Sequence, residues 1–392
     1  RAANLLLALA SAWLACLLGR RLSGSFAYGW LAALMMWCLP GVLFSYRSGR
    51  PDMEVLILGE LFLLALLSKC SIKRMVGVGL VALAMPFAGL QGAPWLAMLF
   101  LFAIILRQLL GESLALRAWV KLGMVAAIGG AIGTALLLGL YWLNDVLDVF
   151  LDATLGMQSI AAASSPLSRV IAFFWPLPWS GVFWTLLACA ALVVWQSQTR
   201  RWGVAAWILC ALTPIVLNVL GKYPIYYHFM GDLMVVMMIC LFLPRLRRWL
   251  LTVRGAVVSA CLVLCLIGLP ARTAVALLGW DARNPRPVEA FVAQHVPEGS
   301  IVACTWQVCY AVRARTPHFY LYTIDEPPRP ASIYAGKEDF WIVEEGYLKD
   351  FKANHPDLPP IAHYTAAGES IGPARPFAFT IFRGQGNAPT TP

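Results

Sequence analysis

Long apolar runs separated by short polar links dominate the first 280 residues. Ten such segments can be read: Ala3 to Leu18, Phe26 to Tyr46, Met53 to Ser68, Met75 to Leu90, Pro94 to Leu106, Leu122 to Leu143, Val170 to Trp195, Trp202 to Leu220, Tyr226 to Leu243 and Ala256 to Trp280. Most hold roughly 16 to 25 residues, the length a helix needs to cross the hydrocarbon core of a bilayer. They predict a polytopic α-helical membrane protein of about ten transmembrane segments over residues 1–280. The fourth and fifth segments are short for a full crossing, so a shallow hairpin stays open as an alternative there. After Trp280 the pattern changes. Strand-like runs (Ser300 to Cys304, Phe319 to Thr323, Phe340 to Glu344, Phe377 to Phe382) alternate with helix-like stretches (Val288 to His295, Tyr347 to Asn354). Residues 281–392 therefore read as a small α/β domain with a loose tail from Gly384.

Composition agrees with the pattern. With 60% hydrophobic and 13% charged residues and a mean hydropathy of +0.71, the chain is too apolar for a soluble globule. Lys and Arg outnumber Asp and Glu by 30 to 20, but the cations sit in short loops and form no continuous patch, which argues against a nucleic-acid partner. Alternate loops differ sharply in charge. One set carries Arg20, Arg21, Lys69, Lys73, Arg74, Arg107, Arg117, Lys121, Arg200, Arg201, Arg245, Arg247, Arg248 and Arg254; the other carries only Arg47, Arg50, Arg169 and Lys222. The positive-inside rule places the first set in the cytoplasm and the second on the outer face. The domain after Trp280 then lies on the outer face of the membrane. The same parity puts Arg1 outside, with no starting methionine, charged n-region or cleavable signal ahead of it. The expectation is a fragment that lacks at least one preceding membrane segment and the outer loop after it.

The outward loops carry the candidate chemistry. Arg47-Ser48-Gly49-Arg50-Pro51-Asp52, followed by Glu54, is an ionisable cluster at a helix end, costly to hold beside hydrocarbon. The third outward loop has Asp145, Asp148 and Asp152 at spacings of three and four, which predicts one carboxylate face on an interfacial helix. Phe173-Phe174-Trp175-Pro176-Leu177-Pro178-Trp179 reads either as an aromatic belt with a kink or as the lining of a lipid groove. The fourth, Gly221-Lys222-Tyr223-Pro224-Ile225-Tyr226-Tyr227-His228, joins a cation to three tyrosines and a histidine. Eight of the ten cysteines lie in or beside apolar segments as packing residues. Cys304 and Cys309 lie in the outer domain, where a disulfide and two separate thiols are both open. No CxxC or HExxH motif is present, so no zinc site and no cofactor is expected, and nothing in the sequence supports a divalent metal.

Arg50-Pro51-Asp52 opening an apolar segment after Arg20-Arg21-Leu22-Ser23-Gly24, then Lys222-Tyr223-Pro224-Ile225-Tyr226-Tyr227 and a terminal α/β domain, resembles bacterial GT-C glycosyltransferases. The protein-mannosyltransferase-like and lipid A aminoarabinose-transferase-like enzymes are the nearest in kind, and the resemblance covers roughly residues 1–280. It implies transfer of a sugar from a polyprenyl-phosphate donor to a glycan, lipid or protein acceptor at the outer face of a bacterial inner membrane, with the terminal domain in the periplasm. Of the family's two acidic positions, Asp52 matches the one that opens a later membrane segment, and the first has no counterpart in this chain. Such a transfer needs a base for the acceptor hydroxyl and cations for the departing phosphate. Arg47, Arg50 and Lys222 are the phosphate candidates, with Asp52 as the catalytic carboxylate and Glu54, Tyr226, Tyr227 and His228 as substrate-lining residues. A secondary transporter or lipid flippase, and a non-catalytic envelope assembly subunit, are the rival readings. No internal repeat of the kind common in transporters is evident.

Overall fold

The computed structural model describes residues 2–42, 52–90, 92–151, 179–195, 200–219, 228–245, 251–278, 284–322, 334, 336–366 and 377–384. The chain divides into two compact units, Arg1–Ala271 and Arg272–Pro392.

Among the described residues the regular elements of the first unit are helices: α1 (Ala2–Ser23), α2 (Phe26–Cys38), α3 (Asp52–Leu67), α4 (Ser71–Ala88), α5 (Gly92–Leu109), α6 (Leu116–Leu143), α7 (Trp179–Trp195), α8 (Arg200–Val219), α9 (Phe229–Phe242) and α10 (Leu251–Ile267), while α11 (Leu269–Leu278) runs across the division at Ala271. Among the described residues each apolar segment contributes helix, yet only six helical stretches are long and apolar enough to cross a membrane: Ala3–Ser23, Ser71–Ala88, Gly92–Leu109, Leu116–Leu143, Arg201–Val219 and Thr252–Ala274. The expectation of ten spans is therefore corrected to six among the described residues. Length is the reason in α2 and α9, which have 13 and 14 residues and reach only about 20 Å at 1.5 Å per residue. Helix α3 has 16 residues and carries three carboxylates, Asp52, Glu54 and Glu60. The fourth and fifth segments, in contrast, extend to 18-residue helices, so a shallow hairpin is not required.

Burial separates helices of similar composition. Every residue of α9 from Phe229 to Phe242 is buried, as expected for a helix apolar on all sides and surrounded by others. Helix α6 buries only Trp119, Leu122, Gly129 and Gly133 and turns the rest of its surface outward. It ends in a Schellman motif: Val146 N–H donates to the Tyr141 carbonyl at 3.0 Å and Asp145 N–H to Trp142 at 3.1 Å, with Asp145 at φ 55°. Helix resumes only at residue 147. Asp145 is thus exposed within a helix break and Asp148 in the helix that follows it, which corrects the expected continuous carboxylate face; Asp152 lies outside the described residues.

The second unit is a five-stranded sheet in the order β2-β1-β3-β5-β4, where β1 is Val302–Cys304, β2 Phe319–Leu321, β3 Phe340–Glu344, β4 Pro360–Thr365 and β5 Ala378–Arg383. Strand β1 is parallel to β2 and β3, and β5 runs antiparallel to β3 and β4. Helix α12 (Arg286–His295), α13 (Cys309–Arg315) and α14 (Leu348–Asn354) complete the unit. Alternation along the strands divides the core: Val302, Cys304, Ile342 and Ile381 pack on one face, Ala303, Trp341, Val343 and Phe382 on the other. Cys304 and Cys309 are both free thiols, and burial raises the Cys304 thiol above its ordinary pKa. Strand β4 and helix α13 were not expected from sequence, because β4 is a largely exposed edge strand and α13 has only seven residues.

Candidate functional site

Helices α1, α3, α5 and α9 run in the same direction, so their charged residues sort to two ends. In the first turn of α5, Trp95 Nε1 donates to the Met230 carbonyl of α9 at 3.0 Å; at the far end Arg245 Nη1 donates to the Leu109 carbonyl at 2.9 Å. Between α3 and α5, the Trp95 ring fills the space beside Gly59, and Arg107 Nη1 donates to the Leu66 carbonyl at 3.0 Å. Between α1 and α3, Ser11 Oγ donates to Glu60 Oε1 at 3.0 Å and Arg21 Nη2 to the Leu67 carbonyl at 3.3 Å.

One end is basic. Arg21, Arg74, Arg107 and Arg245 spend their donors on the carbonyls that α3 and α5 leave open at their C-termini and on nearby loop carbonyls. Glu112 pairs with Arg21, and lies 3.8 Å from both Lys69 Nζ and Arg107 Nη2. These interactions also explain why Arg74 and Arg107 tolerate burial, since their guanidinium groups are hydrogen-bonded.

The other end holds the acidic heads of the helices. Asp52, 1% exposed, occupies the first turn of α3, where the open amides and the helix dipole favour a carboxylate. Glu54 is half-buried in the same turn. His228 is buried immediately before α9, its ring 6.2 Å from that of Phe183. The structure thus places Asp52, Glu54 and His228 at one end of the bundle. Arg47, Arg50, Lys222, Tyr226 and Tyr227 lie outside the described residues, as do Arg169 and the aromatic run before Trp179.

Two carboxylates escaped the sequence reading. Glu60 is fully buried, and among the described residues its Oε2 has no hydrogen-bond partner; Asp232 is 2% exposed and its Oδ1 likewise has none. Both follow a glycine that makes room for an aromatic ring. A Cβ on Gly59 would lie 2.2 Å from Trp95, and one on Gly231 would lie 2.9 Å from Phe183. The repeated words Gly59-Glu60-Leu61 and Gly231-Asp232-Leu233, each an isolated acid within an apolar run, were the available signal.

An apolar groove of about 500 Å³ opens between α4, α5 and α6, lined by Met85, Ala93, Ala97, Phe100 and Gly130, with Phe62 of α3 at its base. Among the described residues, no three His, Cys, Asp or Glu side chains gather closely enough to hold a metal ion. No protein-family model, curated protein or solved structure matches the chain.

Proposed function

We propose that the protein is a multi-pass glycosyltransferase of the bacterial inner membrane that moves a sugar from a polyprenyl-phosphate donor to an acceptor on the periplasmic side. The observation that carries this reading is Asp52: a buried carboxylate in the first turn of α3, at the end of the bundle opposite the arginines. The resemblance to GT-C enzymes assigns chemistry to that position. The acceptor oxygen bonds to the anomeric carbon as the bond from that carbon to phosphate breaks. The hydroxyl proton passes to a carboxylate, and polyprenyl phosphate departs against Arg47, Arg50 and Lys222, whose charge offsets the growing negative charge. The groove against Phe62 has the apolar lining that a polyprenyl chain requires.

Glu60 and Asp232 favour a second reading, ion-coupled movement of a lipid, because carboxylates deep among membrane helices serve as proton relays. One experiment separates the two. The intact protein is reconstituted in vesicles with sugar-bearing polyprenyl phosphates and an acceptor fraction of envelope glycolipid and protein, both extracted from bacterial membranes, and release of polyprenyl phosphate is measured by mass spectrometry. Asp52→Asn keeps size and capping ability but removes basicity, and release should fall by at least about a hundredfold. Release by a folded Asp52→Asn protein within a few fold of wild type refutes the enzymatic role. No release of polyprenyl phosphate by wild type, together with movement of the intact sugar lipid across the bilayer that is lost in Glu60→Gln/Asp232→Asn, favours the transporter.

A further inference from the structure

The basic end carries more charge than the protein itself neutralises. Glu112 is the one carboxylate among the described residues there, and Arg21, Lys69 and Arg107 already surround it. Lys73, Arg117 and Lys121 are exposed, and among the described residues no carboxylate forms an ion pair with any of them. Their placement follows from the packing of α4 against α6. A Cβ on Gly129 would lie 2.5 Å from the Gly79 carbonyl oxygen, and one on Gly133 would lie 2.1 Å from that of Leu83. The two helices therefore run parallel in a register that sets Lys121 level with the first turn of α4, the turn that carries Lys73, with Arg117 one turn further out.

The surface that continues from these cations is hydrocarbon. On α4, Ile72, Val76 and Leu80 are 72%, 54% and 61% exposed, and on α6 Leu116, Val120 and Met124 are 78%, 52% and 52% exposed. Both rows repeat every four residues, so each is a continuous row inclined to the axis of its helix. A cationic end followed by two apolar stripes matches a phospholipid, with its headgroup against the cations and its chains along the stripes. Free phosphate would leave the stripes unexplained, and a zwitterionic headgroup would leave the charge unbalanced.

We infer that Lys73, Arg117 and Lys121, with the apolar stripes of α4 and α6, form a binding site for an anionic phospholipid. Cations near a membrane surface each strengthen attraction to anionic lipid by roughly fivefold. The site is independent of the sugar-transfer reading, so either can fail alone.

The test is native mass spectrometry of the intact, delipidated protein titrated with phosphatidylglycerol, phosphatidylcholine or inorganic phosphate. Wild type should bind phosphatidylglycerol at least about tenfold more tightly than phosphatidylcholine. Lys73→Gln/Arg117→Gln/Lys121→Gln should lose that preference, whereas Lys73→Arg/Lys121→Arg should keep it. Lys349→Gln/Lys352→Gln, at exposed sites in the second unit, should leave it unchanged and guards against a general effect of net charge. If the triple variant does not fold, Lys121→Gln alone should still weaken phosphatidylglycerol by roughly fivefold. Equal binding of the two lipids by wild type, an undiminished preference in a folded glutamine variant, or a signal from inorganic phosphate equal to that from the lipid would each overturn the proposal.

Discussion

Replacing Gly59 with alanine sets helix propensity against packing, and the structure says which prevails. In a helix interior, Gly→Ala ordinarily stabilises by about 1 kcal/mol. At Gly59 the new Cβ would sit 2.2 Å from Cζ3 and Cη2 of Trp95, a fully buried ring. To reach an ordinary contact of 3.4 Å, the ring must retreat by about 1.2 Å. Its Nε1 is held 3.0 Å from the Met230 carbonyl, and its edge meets Phe229 at a centroid distance of 6.1 Å. A retreat of that size breaks the hydrogen bond. Overpacking costs about 1–3 kcal/mol and a lost buried hydrogen bond about 1–3 kcal/mol, so after the propensity gain the net loss is about 3 kcal/mol. For a unit of this size that lowers the melting temperature by roughly 6–12 °C, read from a fluorescence-monitored thermal scan in detergent. Gly139→Ala, where nothing lies within 4 Å of the new Cβ, serves as the control and should be neutral or slightly stabilising. Trp95→Phe removes the atoms that clash, so its cost and that of Gly59→Ala should fall short of additive by about 1–3 kcal/mol. A Gly59→Ala protein that melts at or above wild type refutes the reasoning.

Two further outcomes are expected. Tyr320 donates to the buried Glu338 carboxylate; burial first, and that carboxylate second, hold its phenol above the usual value near 10. Because the folded-state pKa is raised, the stabilisation is complete below about pH 10 and disappears as pH rises beyond it. Proteolysis of residues 284–384 in the intact protein should accelerate as pH rises above about 10, and Tyr320→Phe should flatten that rise; an unchanged profile in the variant counts against it. The sidedness of the charge pattern predicts that reporters fused near Tyr223 and after Trp280 are periplasmic, and those near Arg200 and Arg248 cytoplasmic. The same side for the Arg248 and Trp280 fusions removes the outer-face site.

Run length and charge, both local properties, made the helical membrane class legible in the sequence, together with the switch to a sheet-bearing C-terminal unit. Position also singled out Asp52, because a carboxylate after Pro51 at the head of an apolar run is conspicuous without any partner. Burial was not legible. Phe229–Phe242 and Leu116–Leu143 are both strongly apolar, yet one is enclosed and the other faces outward, since lipid and protein interior ask for the same side chains. The break at Asp145 turns on one residue in the left-handed region, which the spacing of aspartates does not reveal. Glu60 and Trp95 gained meaning only from partners 49 and 135 residues away, Ser11 and Met230. Local pattern determines which segments become helices; which acids lie buried, which rings occupy which glycines and which cations stay exposed follow from how distant helices pack, and that only the tertiary structure decides.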